Sequence, residues 1–152
     1  MNKQRLLTLA TFLEKLPRKR FDFSHFVGED WKGAQDLSCG TTACAVGWCP
    51  VIPAFKKLGL RIVWIDHEPG VKILGQKIDR GIDTAFSISM KTAERLFDLT
   101  ETESKFLFVP SLYDGIAYRD RRLDDRKPGS KATPKAVARH IRKFVERGGI
   151  PS

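Results

Sequence analysis

Ser38-Cys39-Gly40-Thr41-Thr42-Ala43-Cys44-Ala45-Val46-Gly47-Trp48 is the stretch whose reading decides the fold. Small residues recur through it, at Ser38, Gly40, Thr41, Ala43, Ala45 and Gly47, and small side chains let one backbone pack close against another. A hydroxyl at Ser38 or Thr41 suits a helix N-cap, so the pattern predicts a helix from about residue 40 to residue 48. Pro50 ends or kinks it, because proline lacks the N–H and clashes with the preceding turn. Pro53 then suits the first turn of a short helix over 54–58, closed by Gly59.

Upstream, Leu6, Leu7, Leu9, Ala10, Phe12, Leu13 and Leu16 recur at helical spacing, which predicts an amphipathic helix over 3–16. Pro17 stops it, and Arg18-Lys19-Arg20 stand where cations favour the negative helix end. Residues 21–38 read as a loop anchored by Phe21, Phe23, Phe26 and Trp31. Downstream the hydrophobic period drops to two. Residues 60–65 read as a strand, Asp66-His67-Glu68-Pro69-Gly70 as a turn, 71–74 as the returning strand and 82–88 as a candidate third. From Lys91 the chain is helical again, and Thr100-Glu101-Thr102-Glu103 is a capping box that starts a helix through Phe108. Residues 110–132, rich in Arg, Asp, Gly and Pro, read as a flexible loop. Thr133-Pro134 opens a last helix with Val137, Ile141, Phe144 and Val145 facing inward, and Gly148-Gly149 ends it. With no internal repeat, the expectation is an α+β fold: a predominantly helical single domain over 1–152 with a small antiparallel sheet or hairpin.

The chain has 152 residues, 41% of them hydrophobic and ten of them phenylalanine, which is globular rather than disordered composition. No run approaches the ~20 apolar residues a membrane span needs. The N-terminal apolar run is broken by Thr8, Thr11 and Glu14 and lacks a small-residue cleavage site, unlike a signal peptide. Three cysteines, at 39, 44 and 49, are an odd number without a disulfide-framework spacing. Reduced thiols, a cytoplasmic setting and no membrane partner are expected.

A cysteine at a helix start is a common setting for a nucleophile, because the positive helix end stabilises the thiolate. Cys39-Gly40 before the predicted helix has that placement, and Gln35 four residues upstream supplies a candidate oxyanion-hole amide. This arrangement resembles papain-like peptidases, in which a Gln precedes the Cys and a His, then Asp or Asn, follow. The resemblance implies His67 as base, with Asp66, Asp79 or Asp83 to orient it. The chain departs from that family in having no aromatic residue soon after the Cys, and His67 falls in a tight turn. The commoner state of such thiols is a small buried core residue. Cys39, Cys44 and Cys49 with His67 do not make a zinc set: steps of five along a helix rotate ~140° beyond a full turn, and the spacing is foreign to zinc sites. No metal and no cofactor is therefore expected. His140, among Arg139, Arg142 and Lys143, reads as solvated or capping, and His25 as a packing residue.

Charge is the more informative signal. The net charge is +9, and residues 117–152 hold eleven Lys or Arg against four carboxylates, or +7 of it. Lys131, Lys135, Arg139 and Arg142 share one helical face, opposite Val137, Ile141 and Phe144. A basic stripe beside an Arg-rich loop is an electrostatic footprint for phosphates. The candidate binding residues are Arg119, Arg121, Arg122, Lys135, Arg139 and Arg142. A helix-turn-helix over 93–108 is disfavoured, since the would-be recognition helix opens Glu101-Thr102-Glu103.

Phe21-Asp22-Phe23 before Trp31, the Cys39-Gly40-Thr41-Thr42-Ala43-Cys44-Ala45-Val46-Gly47-Trp48 core, and Ala93 followed by Leu96-Phe97 resemble a group of small bacteriophage, prophage and bacterial proteins of uncharacterised activity. The resemblance spans about residues 6–145. It implies a phage-type protein in the host cytoplasm, interfering with a host defence or nucleic-acid process. The reading as a whole favours a non-enzymatic binding protein for an acidic partner, whether nucleic acid, nucleotide or host protein. The alternative is a cysteine hydrolase or transferase using Cys39 and His67.

Overall fold

The computed structural model describes residues 1–22, 25–28, 31–37, 41–109 and 132–151. Its helices are α1 (Lys3–Lys15), α2 (Ala45–Trp48), α3 (Pro53–Lys56), α4 (Ala85–Phe97), α5 (Glu101–Phe108) and α6 (Pro134–Arg147). Its strands are β1 (Arg61–Ile65) and β2 (Glu68–Lys72), which pair antiparallel with Arg61 opposite Lys72 and Ile65 opposite Glu68. The fold is α+β and mainly helical, as the sequence predicts.

Leu6, Leu9, Ala10 and Leu13 of α1 pack along Val137, Ala138, Ile141, Phe144 and Val145 of α6. Met90, Ala93, Leu96 and Phe97 of α4, with Phe106 to Phe108 of α5, close the same core. The caps follow from local chemistry. Thr100 and Glu103 exchange hydrogen bonds as a capping box, Thr133 accepts from the Ala136 N–H ahead of Pro134, and Gly148 takes the left-handed conformation that closes α6 (φ 76°).

Three sequence expectations need correction. The helix foreseen over 40–48 starts only at Ala45. Residues before it are extended, and Ala43 bridges both Phe21 and Val27. The Ala43 N–H donates to the Arg20 carbonyl, and the Asp22 and Gly28 N–H groups to the Ala43 and Thr42 carbonyls. These bonds to the preceding loop keep β-branched Thr41 and Thr42 out of the helix. Gly47 makes that crossing possible, since a Cβ there would lie 1.5 Å from the Phe26 carbonyl oxygen. Around it, the Arg20 guanidinium lies 5.1 Å over the Trp48 ring and reaches the Leu37 carbonyl, while the Trp48 indole N–H donates to the Arg20 carbonyl.

The second correction is the turn. It is only Asp66-His67, both at positive φ (47° and 67°), and β2 already begins at Glu68. Pro69 is tolerated because the ladder alternates: Ile62 and Val71 direct their N–H groups out of the pair, so the position opposite Trp64 would too. The third is the strand foreseen over 82–88, which is the start of α4, capped by Thr84 and Ser87. The short run Ile82 to Ile88 mimics a period of two, but the buried set Ala85, Ile88, Ser89, Thr92, Ala93 and Leu96 is helical.

Two strands leave two open edges, and side chains close both. On β1, the Gln35 amide donates to the Ile62 carbonyl (2.9 Å) and accepts from the Ile62 N–H (2.8 Å). On β2, the Val71 N–H donates to Ser89 Oγ (2.9 Å), and the Thr92 hydroxyl lies 2.8 Å from the Val71 carbonyl. Gly70 lets α4 approach: a Cβ there would stand 3.2 Å from the Ala85 backbone.

Candidate functional site

Cys39, on which the thiol reading rests, lies outside the described residues. The helix predicted to start at about residue 40 begins at Ala45. Gln35, the candidate oxyanion donor, spends its amide on the β1 edge. Cys44 and Cys49 are fully buried, and burial pushes the Cys44 thiol up to about 12 and that of Cys49 well above its ordinary value. They are core atoms, not nucleophiles. Asp83 accepts from the Asp79 N–H and from Lys91, and the Asp79 carboxylate accepts from the Gly81 N–H, so both serve the turn before α4. The Asp79 backbone bond and then Lys91 hold the Asp83 carboxyl below its usual range. Among the described residues no three His, Cys, Asp or Glu side chains gather as a metal site, and no helix is long and apolar enough to cross a membrane.

His25 and His140 fare differently against their sequence expectation. His25 is exposed and pairs with Asp22 at 2.9 Å rather than packing. His140 is half-buried rather than solvated, and its ring hydrogen-bonds the Phe106 backbone in the last turn of α5, a capping role. Its ring stacks on Phe106 (centroids 4.8 Å apart), and burial lowers its pKa to about 4. On α6 it falls at the rim of the apolar arc, a signal present in the helical periodicity but masked by its charged neighbours.

Of the six candidate binding residues, Arg119, Arg121 and Arg122 lie outside the described residues, as does the 110–132 loop apart from Ala132. Lys135 and Arg139 are exposed on α6. Arg142 is turned to α1: its Nε and Nη2 donate to the two Glu14 oxygens (2.6 and 3.0 Å) and Nη2 also to Thr11 Oγ1 (3.1 Å). That fork commits its donors to the helix pair.

The hairpin holds cations that sequence reasoning missed. Arg61 and Lys72 stand directly opposite each other, lining a cleft of about 310 Å³ with Gly59 and Gly75. Neither has an ion-pair partner among the described residues. Like charges in register cost stability. Past them, at the hairpin tip, half-exposed Trp64 lines an open pocket of about 490 Å³ with Asp66, His67 and Arg80. The period-two pattern carried the signal for the first pair once the turn is shortened to two residues. No protein-family model, curated protein or solved structure matches the chain.

Proposed function

We propose that this chain is a non-enzymatic binding protein whose partner is nucleic acid, held through its phosphates. The observation that carries this is the Arg61–Lys72 pair: two cations held opposite each other in one sheet register with no carboxylate partner among the described residues, where a bound phosphate removes their repulsion. Lys135 and Arg139, exposed on α6, add positive surface charge, and Arg119, Arg121 and Arg122 add more by sequence. The net charge of +9 steers a polyanion from a distance. A phage-type origin, action in the host cytoplasm and interference with a host defence or nucleic-acid process follow from the sequence resemblance alone.

Electrophoretic mobility of labelled DNA and RNA across a salt series tests the proposal. Binding should weaken steeply with salt, and R61E/K72E and K135E/R139E should each flatten the log–log slope by roughly 1 to 2. Binding indifferent to salt or to both double variants overturns it.

A further inference from the structure

Trp64 is the feature of the surface that folding alone does not explain. Its ring is 51% exposed although β1 otherwise buries its apolar side chains on that face, Ile62 among them. It is not loose, because it leans on buried Trp31 with ring centroids 5.3 Å apart and 41° between planes. An indole fixed on one side and open on the other is a stacking surface. Around the same pocket stand Arg80, exposed and without an ion-pair partner among the described residues, and the turn pair Asp66-His67. A two-residue hairpin turn with both residues at positive φ ordinarily takes Asn-Gly or Asp-Gly. Here the second position keeps His67 at φ 67°, so an imidazole lines the pocket at some expense to the turn.

We propose that this hairpin-tip pocket takes an unpaired nucleobase, stacked on Trp64, and that the protein accordingly prefers single-stranded to duplex nucleic acid. The chemistry of a nucleotide matches the lining part by part. The base has a π-face for the indole, the phosphodiester suits the Arg80 guanidinium and the His67 ring N–H, and base N–H groups donate to Asp66. A paired base has both faces covered and does not enter. The pocket volume is in the range of small-ligand sites. This inference rests on the reading of the protein as a nucleic-acid binder, and its test separates the two.

The test uses the full chain with oligothymidylate of about twelve nucleotides and a duplex of equal length. Trp31 and Trp48 are both 4% exposed, so quenching of tryptophan emission reports mainly Trp64. The wild type should bind the single strand more tightly than the duplex, with quenching. W64A should lose about 5- to 100-fold of single-strand affinity and little duplex affinity, and W64F, which keeps a ring, most of neither. H67G should raise the melting temperature, because glycine takes that backbone angle without penalty, yet weaken single-strand binding. Equal binding of single strand and duplex, or W64A binding oligothymidylate like the wild type, overturns the pocket and leaves the phosphate reading standing. Loss of single-strand binding in W64A with no response to K135E/R139E or R61E/K72E overturns the phosphate reading and leaves the pocket. A wild type that binds neither form overturns both.

Discussion

At the scale of single residues, Gly47 and His140 carry the sharpest consequences. A Cβ at 47 would meet the Phe26 carbonyl oxygen at 1.5 Å and the Ala43 Cβ at 2.8 Å; Ala43 is held by its own backbone hydrogen bonds, and Phe26 lies between His25 and Gly28, which bond to Cys44 and Thr42. Gly47→Ala should therefore cost about 2–4 kcal/mol, read by urea unfolding, with faster exchange of the Cys44 amide that donates to His25. His140 makes stability pH-dependent. Its pKa falls from 6.5 to about 4 in the fold, chiefly by burial, so between those values the unfolded chain holds a proton that the native chain refuses. Stability is then lost as pH falls from 6.5 toward 4, by about 2–3 kcal/mol at the lower end. His140→Phe should flatten that segment of the stability–pH curve. The lowered carboxyls of Glu14, Asp83 and Glu101 lose their contributions below their ordinary values of 4.5, 3.8 and 4.5, so they act at the acid end of the curve and beyond it.

At the scale of elements, the hairpin is the informative piece. Two strands alone are marginal in water, and this pair is completed by side chains on both edges. Gln35→Leu removes both hydrogen bonds to Ile62 and leaves a buried N–H and C=O unmet, for about 2–3 kcal/mol. Thr92→Val keeps the shape but removes a buried hydroxyl whose one proton has the Val71 carbonyl, Gln76 Oε1 and the Ile88 carbonyl within reach, with a cost of about 1–2 kcal/mol. Amide exchange should show the hairpin opening before α1 and α6 in Gln35→Leu. An unchanged exchange pattern would mean that water replaces the amide without loss. The helix pair needs no such help. Arg142 and Glu14 are both well exposed, so their fork adds little beyond the apolar contact of α1 with α6.

At the scale of the whole molecule, a net charge of +9 repels itself. The melting temperature should rise from low to moderate salt as the screening length shrinks from ~30 Å to ~8 Å. R61E/K72E should show less of that rise, since it lowers the net charge of +9 by four and so weakens the self-repulsion. A melting temperature that falls with salt would mean that the Lys and Arg side chains are already neutralised by partners. Local signals in the chain wrote most of the helices. The leucine spacing of α1, the Thr100–Glu103 box and the Thr133-Pro134 opening of α6 all act within one or two turns, where sequence neighbours are also spatial neighbours. What the amino-acid sequence determined by itself is thus the helical class, the hairpin and the charge. The late start of α2 at Ala45, the role of Gln35, the capture of Arg142 by Glu14 and the burial of His140 were decided only in three dimensions. Each depends on a partner many residues away: Phe21 and Val27 for Ala43, Ile62 for Gln35, Glu14 for Arg142 and Phe106 for His140. Such pairings answer to which groups are left unsatisfied once the core closes, and no window along the chain contains both halves.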